Sequence, residues 1–175
     1  MKKIFTAVLA AMLVVAAVSQ GLCAGKDMDI TREDFVKQLG EAFSRVHCGF
    51  PKKVIKEKMQ PTKSGAVIIY NSDVMLMMND AEKGEDMKSA AVIYLTSDAG
   101  GVNANSRTVF ADACIQTISA LDDGLNYSQT KEILNGLGAD GQMLDGAQRS
   151  VKLQNYRFML RMHRNGVAVL AVSHE

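Results

Sequence analysis

Tryptophan is absent from this 175-residue chain, proline occurs only twice, and aromatic residues make up 6% of it. So little proline, with glycines at no fixed period, excludes collagen-like and proline-rich extended architectures. The 47% hydrophobic and 22% charged fractions exclude a disordered chain, which needs the opposite balance. Lys and Arg exceed Asp and Glu by one residue, so the chain lacks the basic excess that marks a nucleic-acid partner. No Cys-x-x-Cys, His-Glu-x-x-His, Gly-x-Ser-x-Gly, P-loop or dinucleotide fingerprint occurs. The glycine-rich stretch Gly138 to Gly146 follows a predicted helix where such a motif needs a strand. Neither a cofactor nor a metal is expected.

The first informative feature is the start. Met1-Lys2-Lys3 is a short basic segment, and Ile4 to Val18 is an apolar run interrupted only by Thr6. The run is shorter than the ~20 residues of a membrane span, and Ser19-Gln20-Gly21 ends it with small and polar residues. The pattern is that of a secretory signal peptide over residues 1–24, cut after Ala24, with Gly21 and Cys23 as alternative cut sites. A periplasmic or secreted domain over residues 25–175 is expected. Lipid attachment through Cys23 is the weaker alternative, because Leu22 stands where a small residue is needed and Gln20 where a leucine is usual.

Cleavage there leaves Cys48 and Cys114, an even number for an oxidising compartment. A disulfide between them is expected; in the chain-entropy model it would contribute roughly 4 kcal/mol.

In the mature region, Thr31-Arg32-Glu33-Asp34 sets a capping hydroxyl three residues before a carboxylate. Phe35, Val36, Leu39, Ala42, Phe43 and Val46 follow at helical spacing. This predicts a helix over 31–47, stopped by Gly49 and Pro51. From Lys53 the period shortens, and Val54-Ile55, Ala66–Tyr70, Val74–Met78 and Ala90–Thr96 read as strands separated by hairpin-length turns. Phe110, Ala113, Cys114, Thr117, Ile118 and Leu121 predict a second helix over 106–122, and Ser128 is expected to cap a third carrying Ile133, Leu134 and Leu137. Asn165-Gly166 signals a final hairpin that pairs Met162 with Val169, Leu160 with Ala171 and Phe158 with Ser173. Runs of strands and runs of helices predict a single α+β domain, ordered α-ββββ-αα-ββ. Its antiparallel sheet would have five to seven strands, with two or three helices on one face.

The residues able to carry chemistry are few. A thiol nucleophile would need Cys48 or Cys114 beside His47, His163 or His174, yet neighbours such as His47 and Cys48 do not face each other on a helix. Met75, Met77, Met159 and His163 would offer thioether and imidazole ligands to Cu(I) if two strands brought them together. Asp80, Glu82, Glu85 and Asp86 do not follow calcium-loop spacing.

Charge is the one feature with a distribution. Lys52, Lys53, Lys56, Lys58 and Lys63 cluster early, and Arg149, Lys152, Arg157, Arg161 and Arg164 late. On one sheet face, with Met159, Leu170 and Val172, they would form a basic and partly apolar surface. The expected function is therefore a non-enzymatic binding or accessory domain meeting an envelope protein or an anionic envelope component. Arg157, Arg161, His163 and Arg164 are its candidate contacts. The alternatives are a small envelope enzyme whose site forms only on folding, and methionine-based copper handling.

Overall fold

Thr31 begins the first helix as its spacing predicts: its Oγ1 accepts from the Asp34 backbone N–H at 3.1 Å, and Glu33 and Asp34 place negative charge in the first turn. The computed structural model describes residues 26–82, 85–95, 104–139, 148–162 and 167–175. The leader with Cys23 and Ala24, most of the glycine-rich stretch, and His163 to Gly166 lie outside these residues. Helix α1 spans Arg32–Val46 and ends where His47 turns left-handed (φ 54°) and donates to the Phe43 carbonyl at 2.9 Å.

Where Val54-Ile55 reads as a strand, the structure has a short helix, α2 (Lys52–Lys58), of which only Ile55 is buried. Pro51 at its N-cap supplies a preset φ, and five of its seven residues are Lys or Glu, which favour helix over sheet. Strands β1 (Met59–Thr62), β2 (Gly65–Ile69), β3 (Val74–Asp80) and β4 (Met87–Leu95) follow as an antiparallel meander. The β2–β3 turn is fixed by Asn71, whose Oδ1 accepts from the backbone N–H groups of Asp73 and Val74.

Helix α3 (Ala104–Leu121) and helix α4 (Tyr127–Gly136) come next. The cap of α4 is Asn126, two residues before Ser128, in a reciprocal capping box with Gln129. The chain returns through β5 (Gln148–Leu153), β6 (Tyr156–Met162) and β7 (Val167–His174). β5 and β6 form a hairpin closed by Gln154, left-handed at φ 50°, and Asn155.

The strand order is β1-β2-β3-β4-β7-β6-β5, antiparallel throughout, so β7 joins the two meanders at the centre. The described residues make a single α+β domain, with four helices where two or three were expected. All four pack on one sheet face, over a core including Phe35, Leu39, Ile55, Leu76, Val92, Leu134, Phe158 and Leu170. Fully burying a side chain of that size stabilises by about 1.5–3 kcal/mol.

The last hairpin departs from its expected register. Met162 pairs with Ala168, Leu160 with Leu170 and Phe158 with Val172, one residue from the spacing a two-residue Asn165-Gly166 loop requires. A slip of one reverses which residues of β7 face the core. Leu170 and Val172, expected beside Arg157 and Arg161, instead lie under the helices, and Val169 and Ala171 face the other way. Phe158 and Leu160 on β6 explain this choice, since opposite them the helix-side core takes Val172 and Leu170 in place of Ser173 and Ala171.

Candidate functional site

Strand alternation gives the sheet a second face, turned away from all four helices. Its residues fall into rows across the strands. One row runs Ile69, Met75, Ile93, Val169, Arg161, Gln148, and the next runs Val67, Met77, Ala91, Ala171, Met159, Ser150. The centre of both rows is apolar, formed by Met75, Met77, Ala91, Ile93, Val167, Val169 and Ala171. Towards the β5–β6 edge the rows become polar and basic. Arg157 and Arg161 are both exposed there, with Lys152 beside Arg157 on the neighbouring strand.

Two of the predicted binding residues, Arg157 and Arg161, thus share this outward face; His163 and Arg164 lie outside the described residues. Arg157 is already engaged: it and Lys152 both reach the carboxylate of Glu175, with Lys152 Nζ at 2.7 Å. The hydrogen bond from Lys152 and the nearby Arg157 charge hold the Glu175 carboxyl below its ordinary range. Among the described residues no carboxylate pairs with Arg161.

The early lysines do not join them. Lys52, Lys53, Lys56 and Lys58 lie on α2, in the helix layer, beside the β1–β2 edge. With β1 and β5 at opposite ends of a seven-stranded sheet, the two basic groups are roughly 29 Å apart across the strands. The single basic surface expected from both clusters is therefore not formed, because β7 inserts between the two meanders. Lys58 instead lies over the Phe50 ring at 5.0 Å.

The same strand order separates the methionine set. Met75 and Met77 are on β3 and Met159 on β6, with β4 and β7 between them, a distance of roughly 14 Å. They cannot share one copper ion. Among the described residues no three His, Cys, Asp or Glu side chains form a group that could hold a metal ion. In the acidic turn, Asp80 forms an ion pair with Arg32 at 2.6 Å.

Cys48 and Cys114 are free thiols, both buried, and the expected disulfide is not present. Cys48 Sγ lies 3.8 Å from the Asp112 carbonyl oxygen, and Cys114 is wholly enclosed. Burial, reinforced by the Asp112 carboxylate, pushes the Cys48 thiol up to about 12, and burial alone pushes Cys114 well up. Neither is a nucleophile at neutral pH.

Hydrogen bonds make the tie between α1 and α3 that a disulfide was expected to make. Gln116, fully buried on α3, donates to the carbonyls of Leu39 (2.8 Å) and Phe50 (2.7 Å). Its Oε1 accepts from the Phe50 N–H (3.0 Å) and the Tyr70 hydroxyl (2.9 Å). Arg45 adds a bond to the Ser119 carbonyl. The apolar stripe of α3 did not disclose Gln116. The signal available was Ile115 and Ala120 lying off that stripe, the mark of a helix covered on more than one side.

Among the described residues one histidine, His174, has a carboxylate partner. A carbonyl can only accept, so Nδ1 of His174 donates to the Asp27 carbonyl at 3.0 Å, leaving Nε2 3.6 Å from Asp29 Oδ2. Nε2 faces a carboxylate and not a hydroxyl or thiol, so the pair lacks the nucleophile of a hydrolytic dyad. Its role is to hold residues 27–29 against the end of β7.

No protein-family model, curated protein or solved structure matches this chain.

Proposed function

We propose that the chain is an exported accessory domain that binds another envelope protein through the outward face of its sheet, without chemistry of its own. One observation carries the reading: an apolar band across β3, β4 and β7 lies on the face opposite the four described helices, bordered by the exposed Arg161 and Arg157. An apolar band that none of the described helices covers, with a charged margin, has the anatomy of a protein interface. Arg161 asks for a carboxylate on the partner, so the occupant that fits is a protein presenting an apolar strip with an acidic border. The basic start and the Ile4–Val18 run support export, which would place that partner in the envelope. No described helix is long and apolar enough to cross a membrane.

The test is affinity capture of the tagged protein from its own envelope after mild crosslinking, read by mass spectrometry, for the native chain and a variant carrying Arg157→Glu and Arg161→Glu. Capture of one protein by the native chain, and its loss in the variant, is the expected result. Equal capture by both would remove the basic border from the interface. No specific capture would overturn the reading.

A further inference from the structure

The two basic clusters that the strand order separates also differ in kind. The late one is mainly arginine, with Arg149, Arg157 and Arg161 beside Lys152, whereas the early one, Lys52, Lys53, Lys56 and Lys58, contains no arginine. A guanidinium is a planar fork matched to a single carboxylate, while an ammonium on a flexible stem is a hydrated point charge that follows a diffuse negative surface. We propose that helix α2 rests on the surface of an anionic lipid bilayer, with its lysines among the headgroups, as a contact separate from the outward sheet face.

The shape of α2 turns the charge outward. Ile55 is its one buried residue and fixes the inward side. At 3.6 residues per turn, Lys53 and Glu57 then lie at the crest, Lys52 and Lys56 on one flank, and Val54 and Lys58 on the other. Lys52, Lys53 and Lys56 are exposed, and among the described residues none of the three forms an ion pair. Four lysines thus stand against one acid, Glu57, on a helix about 10 Å long. A site built for one anion would converge its donors on a point; these ammonium groups are spread over a convex helix surface, which suits the many loosely held phosphates of a headgroup layer.

The apolar groups nearby make the contact shallow. Phe50 is half-buried and stacked on Tyr70, ring centroids 4.6 Å apart, and the Lys58 ammonium lies 5.0 Å from its centre, so the ring stays with the protein. No described helix is long and apolar enough to cross a membrane, and α2 acts from the surface through charge. The arginine cluster lies roughly 29 Å away across the sheet, more than three times the ~8 Å Debye length at physiological salt, so the two surfaces act independently. A domain docked through α2 turns its β1 edge to the bilayer and holds Arg161 clear of it. The inference goes beyond the proposed protein interface and does not depend on it.

Vesicle co-sedimentation tests it, with protein purified as the cell makes it. Vesicles are of neutral phosphatidylcholine alone or with about a third of anionic phosphatidylglycerol, and the readout is the ratio of binding to the two, in which any apolar insertion common to both cancels. The expected result is preference for the anionic vesicles, lost at high salt. Lys53→Gln with Lys56→Gln should lower the ratio by about fivefold for each lysine, about twenty-fivefold together. Lys53→Arg with Lys56→Arg, and separately Arg157→Glu with Arg161→Glu, should leave it within about twofold. Thermal unfolding confirms that each variant is folded. Equal binding to neutral and anionic vesicles, or an anionic preference that survives Lys53→Gln with Lys56→Gln, would overturn the inference. Tighter binding to soluble polyglutamate than to vesicles at equal charge would also overturn it, and would give the surface to an acidic protein. Failure of partner capture would remove the reading of the outward face and leave the vesicle result as it stands.

Discussion

Arg161 and Val169 are direct cross-strand partners on the sheet face that carries no described helix. The next residue in the same row is Ile93 and the one after it Met75, so the row passes from a guanidinium into a fully apolar band within two strands. Charge at the margin with apolar surface at the centre is how interfaces combine orientation with burial.

Arg161→Glu is therefore expected to leave folding almost untouched and to abolish binding. The side chain is exposed, and surface substitutions of this kind change stability by within about 0.5 kcal/mol. Thermal unfolding beside the capture assay checks both halves. A large fall in melting temperature would mean that Arg161 is part of the fold and not of an interface.

Gln116 is the most demanding single position in the core. Gln116→Leu leaves the Phe50 N–H and the Leu39 and Phe50 carbonyls without their partner, so a loss of about 3–5 kcal/mol is expected in denaturant unfolding. Tyr70→Phe, which removes one of the bonds to Oε1, should cost about 1–2 kcal/mol, and the two substitutions together should cost less than their sum. Gly49→Ala should fail in the same way. A β-carbon there would lie 2.0 Å from Gln116 Oε1, and φ at this position is +80°.

How much of this was legible in the sequence differs by element. The helices over 31–47 and 106–122, the strands at 66–70 and 74–78, and the strand from Ala90 as far as Leu95, where the described residues stop, follow from local period and caps, and so does the α+β class. Val54-Ile55 is helical and not extended because the Lys and Glu residues around the two apolar ones favour helix and only Ile55 is buried. The order of strands is a non-local property, and it separated the two basic clusters and the methionine set. The register of β6 on β7 turned on Leu160 and Phe158 competing with a turn signal, and the core prevailed. Of the candidate binding residues, Arg157 and Arg161 were readable as one face by parity alone.

The two described cysteines should behave as buried thiols. Native chain at pH 8 is expected to alkylate slowly at Cys48 and Cys114, and both should alkylate promptly once unfolded without reductant. A Cys48–Cys114 linked peptide in mass spectrometry of the unreduced protein would contradict this. Because burial raises both thiols above their unfolded value of 9.0, the stability they contribute is complete below pH 9. It declines as the pH rises from there toward 12 for Cys48.

Asp112 gives a second handle on pH, of the same sign but in an acidic window. Burial raises its carboxyl above the ordinary 3.8, so the folded state holds that proton more tightly than the unfolded state does. The native chain loses stability as pH rises from 3.8 through the folded value, and Asp112→Asn does not. The variant is thus expected to be the more stable at neutral pH, with the difference vanishing in acid. Urea unfolding at pH 3 and pH 7 measures it, and a gap that widened in acid would reverse the sign.

Photo-crosslinking in the living envelope tests the central claim most directly. A photoreactive residue is placed at Met159, on the outward face of β6, and separately at Arg149, whose register with Leu160 turns it to the helix side. The account predicts a discrete adduct with one envelope protein from position 159 and none from position 149. Adducts of equal yield from both positions, or none from position 159, would contradict it.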